Sequence, residues 1–218
     1  MVTSELLLNK RNDLEQLVGH GHMELAAYDL LLHARLEYNS DLERATEEIL
    51  TAMDCNYQSE LSEKLTIRSK LTGLVETFGH KPAYIFVLNY DNNIHKEHAV
   101  SANYSRDCIG KHITDKEILP DMKKIAYEDN AILFDPKGYI VATNTILVNV
   151  DPSDIIGGRR GGNEELGFAN KVGSRHHFAI GASYHLLGTV VYTLSETGHV
   201  RRFVQGKITF STVDHETK

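Results

Sequence analysis

Residues 173–177, Gly-Ser-Arg-His-His, stand immediately before the apolar residues Phe178, Ala179 and Ile180. Gly173 permits close backbone approach to a ligand. Ser174 suits a helix N-cap, and the N–H groups that follow it form the positive end of a helix. Arg175 can fork onto two phosphate oxygens, and His176 can donate a further hydrogen bond. One reading of this composition is an anion site. The other is a helix start with polar residues on its solvent face, a role that suits His177 best.

A second cluster, Glu128-Asp129-Asn130, precedes Ala131 and the apolar run 131–134. Carboxylates at a strand end can hold a divalent metal or take a proton from a hydroxyl. The same three residues also suit an ordinary turn. A third cluster, Ser195 and Glu196, flanks a hairpin turn at 197–198. The glycine-rich stretch 157–162 can wrap phosphates with its amides, but it lacks the Lys-Ser/Thr ending of a P-loop and reads as a mobile loop. His20 and His22, two residues apart, fall on different faces of a helix with no evident carboxylate or Cys partner, so no metal site is expected there. Neither a Gly-x-Ser-x-Gly elbow nor a dinucleotide-binding glycine fingerprint occurs.

The elements that must position these clusters can be read from periodicity. Residues 1–78 carry a helical pattern, with Leu7, Leu14, Leu17 and Val18 near one face of the first segment. Residues 23–38 and 40–53 read as two further helices, the latter opened by a capping box of Ser40 and Glu43. A fourth, 61–79, ends at Gly79 with Pro82 beyond it. The texture then changes. Residues 83–89 read as a buried strand, and 114–128 as a helix that Pro120 kinks or splits. Residues 131–143 read as a hairpin turning at 136–138, followed by a separate strand at 145–150 and a long loop at 151–167. A helix at about 174–186 and a meander of three strands complete the chain. The expected fold class is α/β: a mixed β-sheet flanked by helices over 65–218, preceded by an all-helical segment over 1–64.

Composition narrows the classes. At 218 residues, 41% hydrophobic and 24% charged, the chain fits a globular protein of one domain with an appendage or two very small domains. A net charge of −7 opposes generic nucleic-acid or anionic-membrane binding, yet leaves room for a small anionic ligand. Cys55 and Cys108 make neither a disulfide framework nor a zinc pattern, so a cytoplasmic setting is expected. The first apolar run is too short and too soon charged for a signal peptide, and no stretch approaches the roughly 20 apolar residues of a membrane span.

Considered jointly, Asp-Asn-Ala (129–131), Gly-Ser-Arg-His-His with the helix behind it (173–183), and Leu-Ser-Glu with the hairpin that follows (194–208) resemble, in order and spacing, the motifs of the diadenylate cyclase domain of bacteria and archaea. Residues 78–89 are similar to the strand that opens that domain, and the resemblance covers about residues 65–210. It implies condensation of two ATP molecules into cyclic di-AMP, with release of two pyrophosphates and use of Mn²⁺ or Mg²⁺. Each domain would bind one ATP, so two copies must face each other in a homo-oligomer. Carried over by motif, Asp129 would hold the metal and activate the 3′-hydroxyl within the catalytic run Asp129, Asn130, Ala131, and Glu128 would reach the same metal. Gly173, Ser174, Arg175, His176 and His177 would form the phosphate-gripping motif. Ser195 and Glu196 would lie near the triphosphate, and Leu147 would pack on adenine. Two positions depart from the pattern: Asn130 stands where the family has Gly, and His177 where it often has a second Arg. The alternatives are a catalytically impaired nucleotide-binding regulatory module on the same fold, or a related nucleotidyltransferase with a different nucleotide product. The helical segment would regulate pairing or assembly.

Overall fold

A computed structural model of the chain describes residues 4–19, 21–55, 81–101, 106–125, 130–155 and 174–217. In chain order their elements are helices α1 (Ser4–Val18) and α2 (His22–Cys55), strand β1 (Tyr84–Leu88), the one-turn helix α3 (Asn92–His95), β2 (Ala99–Ser101), α4 (Leu119–Ile125), β3 (Ala131–Phe134) and β4 (Ile140–Leu147). They end with α5 (Ser174–His185) and the meander β5 (Val190–Leu194), β6 (Val200–Val204) and β7 (Lys207–Ser211).

Strand β1 is buried along its whole length. The two-residue period of a strand sends alternate side chains to opposite faces. Tyr84, Phe86 and Leu88 accordingly join one apolar cluster, and Ile85 and Val87 another. A strand apolar on both faces needs cover on both. Leu14 of α1, Leu25, Tyr28 and Leu31 of α2 and Met122 of α4 cover the first face. Ala179, Ile180 and Ala182 of α5 cover the second. The described residues thus form a mixed α/β architecture, with helices on both sides of a seven-stranded sheet in the order β2-β4-β3-β1-β5-β6-β7. Only β1 and β3 pair in parallel among these strands; the other neighbours are antiparallel.

An ionic contact fastens α2 to the sheet. Glu24, in its first turn, accepts from Arg202 Nε and, at 3.0 Å, from Arg202 Nη2. The Tyr192 hydroxyl donates to the same carboxylate at 2.8 Å. Burial, with the Glu24 charge beside it, pushes the Tyr192 phenol far above its ordinary range. No helix among the described residues is long and apolar enough to cross a membrane.

Several sequence expectations need correction. Residues 23–38 and 40–53 are one uninterrupted helix, so Ser40 and Glu43 do not cap a new one. No Gly or Pro breaks the junction, and Lys123 bridges Glu37 (3.1 Å) and Asp41 (3.2 Å) across it. The expected strand at 145–150 is not separate: β4 runs on to Leu147, past the buried Asn144 at φ +49 and the register shifts that accommodate it. The extension pairs with β2, a strand of only three residues that periodicity does not reveal. Pro120 neither kinks nor splits a long helix. It is the second residue of α4, where its missing N–H breaks no helical bond, and a 3₁₀ turn at Lys116–Ile118 precedes it. The expected helix at 61–79, the 64/65 division, His20, most of the 157–162 loop's surroundings and the loop itself lie outside the described residues.

Candidate functional site

The strand register brings distant stretches to one end of the sheet. Ala131 pairs with Ile85 on one side and Thr145 on the other, and Ile85 also pairs with Thr193. Neighbouring strands lie about 4.8 Å apart, which puts Ala131 and Thr193 about 10 Å from each other. Strand β5 then leads directly into Ser195 and Glu196. The start of β3 and the end of β5 therefore share this end.

Helix α5 lies across the face that carries Ile85, Ala131 and Leu147. Phe178, in its second turn, meets Ile85, Asn130, Ala131, Thr145, Ile146 and Leu147 around a cavity of about 50 Å³. A larger cavity of about 420 Å³ adjoins it, with Leu147 and Phe178 bordering both. His177, Asn149, Val150, Asp151 and Pro152 complete its wall. Phe178 is 48% exposed, while Leu147 beside it is buried.

The wall at 148–152 takes its path from local chemistry. Asn149 adopts φ +55, a conformation that Asn tolerates better than most residues. The chain then passes so close to α5 that a Cβ on Gly181 would stand 1.7 Å from the Val150 carbonyl oxygen. His98 and His185 hold the loop from outside: His98 Nδ1 lies 3.4 Å from Val148 O, and His185 Nε2 3.3 Å from Asp151 O. The Asp151 carboxylate caps the following 3₁₀ turn by accepting from Ser153 N at 2.8 Å. Those bonds from Ser153, with His185 and His177 nearby, hold its carboxyl below the usual range.

The third motif is a tight turn. Gly198 N donates to Ser195 O at 2.8 Å, Ser195 N donates to His199 O at 3.0 Å, and Gly198 sits at φ +88. Ser195 Oγ lies 2.8 Å from Thr197 Oγ1 and accepts from His199 N at 3.2 Å, so the hydroxyl shapes the turn. Next to it, buried Arg201 donates through Nε (2.6 Å) and Nη2 (2.9 Å) to Glu216, which also accepts from Ser211 Oγ. Burial would raise the Glu216 carboxyl, but the bonds from Arg201 and Ser211 outweigh it and hold it below its ordinary value; His176 adds to the effect. His176 stacks edge-on at 6.3 Å from Phe203. Burial, then Arg201, depresses the His199 imidazole.

Of the residues singled out from sequence, Asn130, Ala131 and Leu147 line the smaller cavity, and Leu147 and His177 the larger. Ser174 and Arg175 open α5. His176 packs toward Phe203. Ser195 and Glu196 form the turn at the same sheet end. Asp129, Glu128 and Gly173 lie outside the described residues. Among the described residues, no group of three or more His, Cys, Asp or Glu is arranged to hold a metal. The Asn130 amide donates to Asn144 Oδ1 across the hairpin. Sequence reasoning missed Phe178, the 149–152 wall and the Arg201–Glu216 pair. A glycine inside a helical run, Gly181, is the signal that could have pointed to the close backbone approach behind that wall.

No family model and no curated protein matches the chain. A solved structure described as a hypothetical membrane spanning protein from Bacillus cereus is similar to it at 17% identity, over 88% of this chain and 98% of that one, with a TM-score of 0.39.

Proposed function

We propose that the chain is a diadenylate cyclase that condenses two ATP molecules into cyclic di-AMP across a facing pair of copies. One observation carries the reading: Asn130 and Ala131, Leu147, and Phe178 border a single cavity, so three stretches far apart in sequence meet around it. The adjoining cavity, walled by Leu147, Val150, Pro152 and Phe178, is apolar enough for a purine. The N-terminus of α5, with Arg175 in its first turn, suits the triphosphate.

Phosphoryl-type transfer depends on positioning and charge neutralisation more than on covalent machinery. In this reading Leu147 and Phe178 hold the base, and Ser174 and Arg175, with the amides that open α5, grip the phosphates, while His176 packs behind them against Phe203. Asn130 borders the cavity, and Asp129 precedes it in the sequence, which supports giving the carboxylate's role to Asp129. Asp129 takes the proton of the 3′-hydroxyl. The 3′-oxygen then bonds to the α-phosphorus of the facing ATP, and the bond from that phosphorus to pyrophosphate breaks. The same exchange in the opposite sense closes the ring and releases the second pyrophosphate. Mn²⁺ or Mg²⁺, held by Asp129 with Glu128, would neutralise triphosphate charge. A facing arrangement brings each nucleophile in line without a covalent intermediate.

A second reading, a nucleotide-binding module without turnover, draws on the Asn130 side chain, which occupies the cavity wall against Asn144 where the family has no side chain. Incubation of the purified chain with ATP and Mn²⁺, followed by product mass and pyrophosphate release, separates the two. Cyclic di-AMP supports the enzyme, and an ATP-dependent melting shift without pyrophosphate supports the module. A different cyclic dinucleotide from a four-nucleotide mixture points to the related transferase. Neither binding nor product overturns all three.

A further inference from the structure

Arg35 of α2 is 5% exposed, and no carboxylate among the described residues offsets its charge. Burial lowers its tendency to hold a proton, and Tyr38, whose ring centroid lies 5.5 Å from the guanidinium carbon, acts in the opposite sense without reversing it. Its one hydrogen bond to a described residue is main-chain: Nη1 donates to Glu196 O at 3.3 Å, and the buried Nε finds no acceptor. A Cβ on Gly198 would stand 2.6 Å from that Nε and 3.0 Å from Cζ, so the turn lies close against the guanidinium. A Met or Leu would fill this space at far smaller desolvation cost. A buried charge kept at such a cost calls for a role, and the group it grips is the turn that carries Ser195 and Glu196.

We propose that Arg35 is a positioning residue: it holds the 195–198 turn in register, so that helix α2 sets the geometry of the third motif of the candidate nucleotide site. The contact spans 161 residues of sequence, which makes the turn answerable to the N-terminal helices rather than to its own strands alone. Its consequence for turnover rests on the diadenylate cyclase reading; the mechanical tie does not.

The test uses the full chain and the Arg35→Met variant, with Arg35→Lys as a second perturbation that keeps the charge and removes the planar fork. Amide hydrogen exchange should accelerate about tenfold at Gly198 and His199, while β1 and α5 keep their protection. With ATP and Mn²⁺, kcat should fall about tenfold in both variants with KM moved less, because the turn acts on the reacting triphosphate rather than on the base. Unchanged exchange at 195–199 in both variants overturns the proposal. So does faster exchange with parental kcat in a chain that makes product. If the parent neither binds nor converts ATP, the nucleotide reading falls, and the exchange data still decide the Arg35 contact. Should Arg35→Met fail to fold, Arg35→Lys carries the same comparison.

Discussion

Replacing Gly181 by alanine puts a methyl carbon 1.7 Å from the Val150 carbonyl oxygen and 2.7 Å from its carbon. Both groups are backbone, and Val150 and Gly181 are buried, so neither can swing aside as a flexible side chain would. At an open helical site, Gly→Ala is worth up to about 1 kcal/mol of stability. Here α5 and the 149–152 wall must separate by more than 1 Å to restore ordinary contact, and overpacking of this kind typically costs about 1–3 kcal/mol. A contact as short as 1.7 Å puts the cost toward the upper end of that range, so the expected net result is a loss of roughly 1–2 kcal/mol, which at about 2–4 °C per kcal/mol lowers the melting temperature by several degrees. The wall that moves is also the wall of the larger cavity, so under the proposed function ATP affinity should fall along with stability. Thermal denaturation and calorimetric titration of Gly181→Ala measure the two effects. A variant as stable as the parent, with the same ATP affinity, would refute the close approach of α5 to Val150 and with it the account of the cavity wall.

Under the proposed function, Asp129→Asn should abolish cyclic di-AMP formation and leave the melting temperature within a degree or two, as read by product mass and calorimetry. Asn130→Gly removes the amide that reaches Asn144 and should raise product yield several-fold if that side chain crowds the nucleotide; a fall in yield would mean that the amide is needed. Phe178→Ala should weaken ATP binding about tenfold, since stacking of a base on an aromatic ring is worth about 1–3 kcal/mol. Glu216 supplies a pH test. Its folded pKa lies below the ordinary value of 4.5, so the unfolded chain binds the proton more readily. The resulting stability is fully present above about pH 5 and is lost as the pH falls through the lower folded value. Glu216→Gln should melt earlier at pH 7, because it leaves Arg201 buried without its counter-charge, and its melting curve should be flatter than the parent's below pH 4.5.

The strands and the hairpin were legible because their signals are local. Residues 84–88 and 131–134 are short apolar runs bounded by turn formers, and Pro136, Lys137 and Gly138 make the turn that Asp135 and Tyr139 close. The break expected at Ser40 shows the weakness of such signals. A capping box marks a helix start only where the preceding residues leave the helix, and 37–41 are held in it by Lys123 from α4. Strand β2 escaped notice because three residues carry no period. The candidate site was legible as motifs and not as a cavity: Phe178 looked like ordinary apolar helix, and nothing within 148–152 announces that it packs on Gly181. Nothing in the sequence singles out Arg35, because its partner lies in a turn near the other end of the chain.

The clasp formed by Glu24, Tyr192 and Arg202 bears on any attempt to study the sheet by itself. A truncated protein starting beyond Cys55 would present Tyr84, Phe86, Leu88, Tyr192 and Phe210 to water as one greasy surface. It would also strand the Arg202 guanidinium without the carboxylate that neutralises it. Such a fragment should precipitate or self-associate, and a lack of activity in it would report lost solubility rather than lost chemistry.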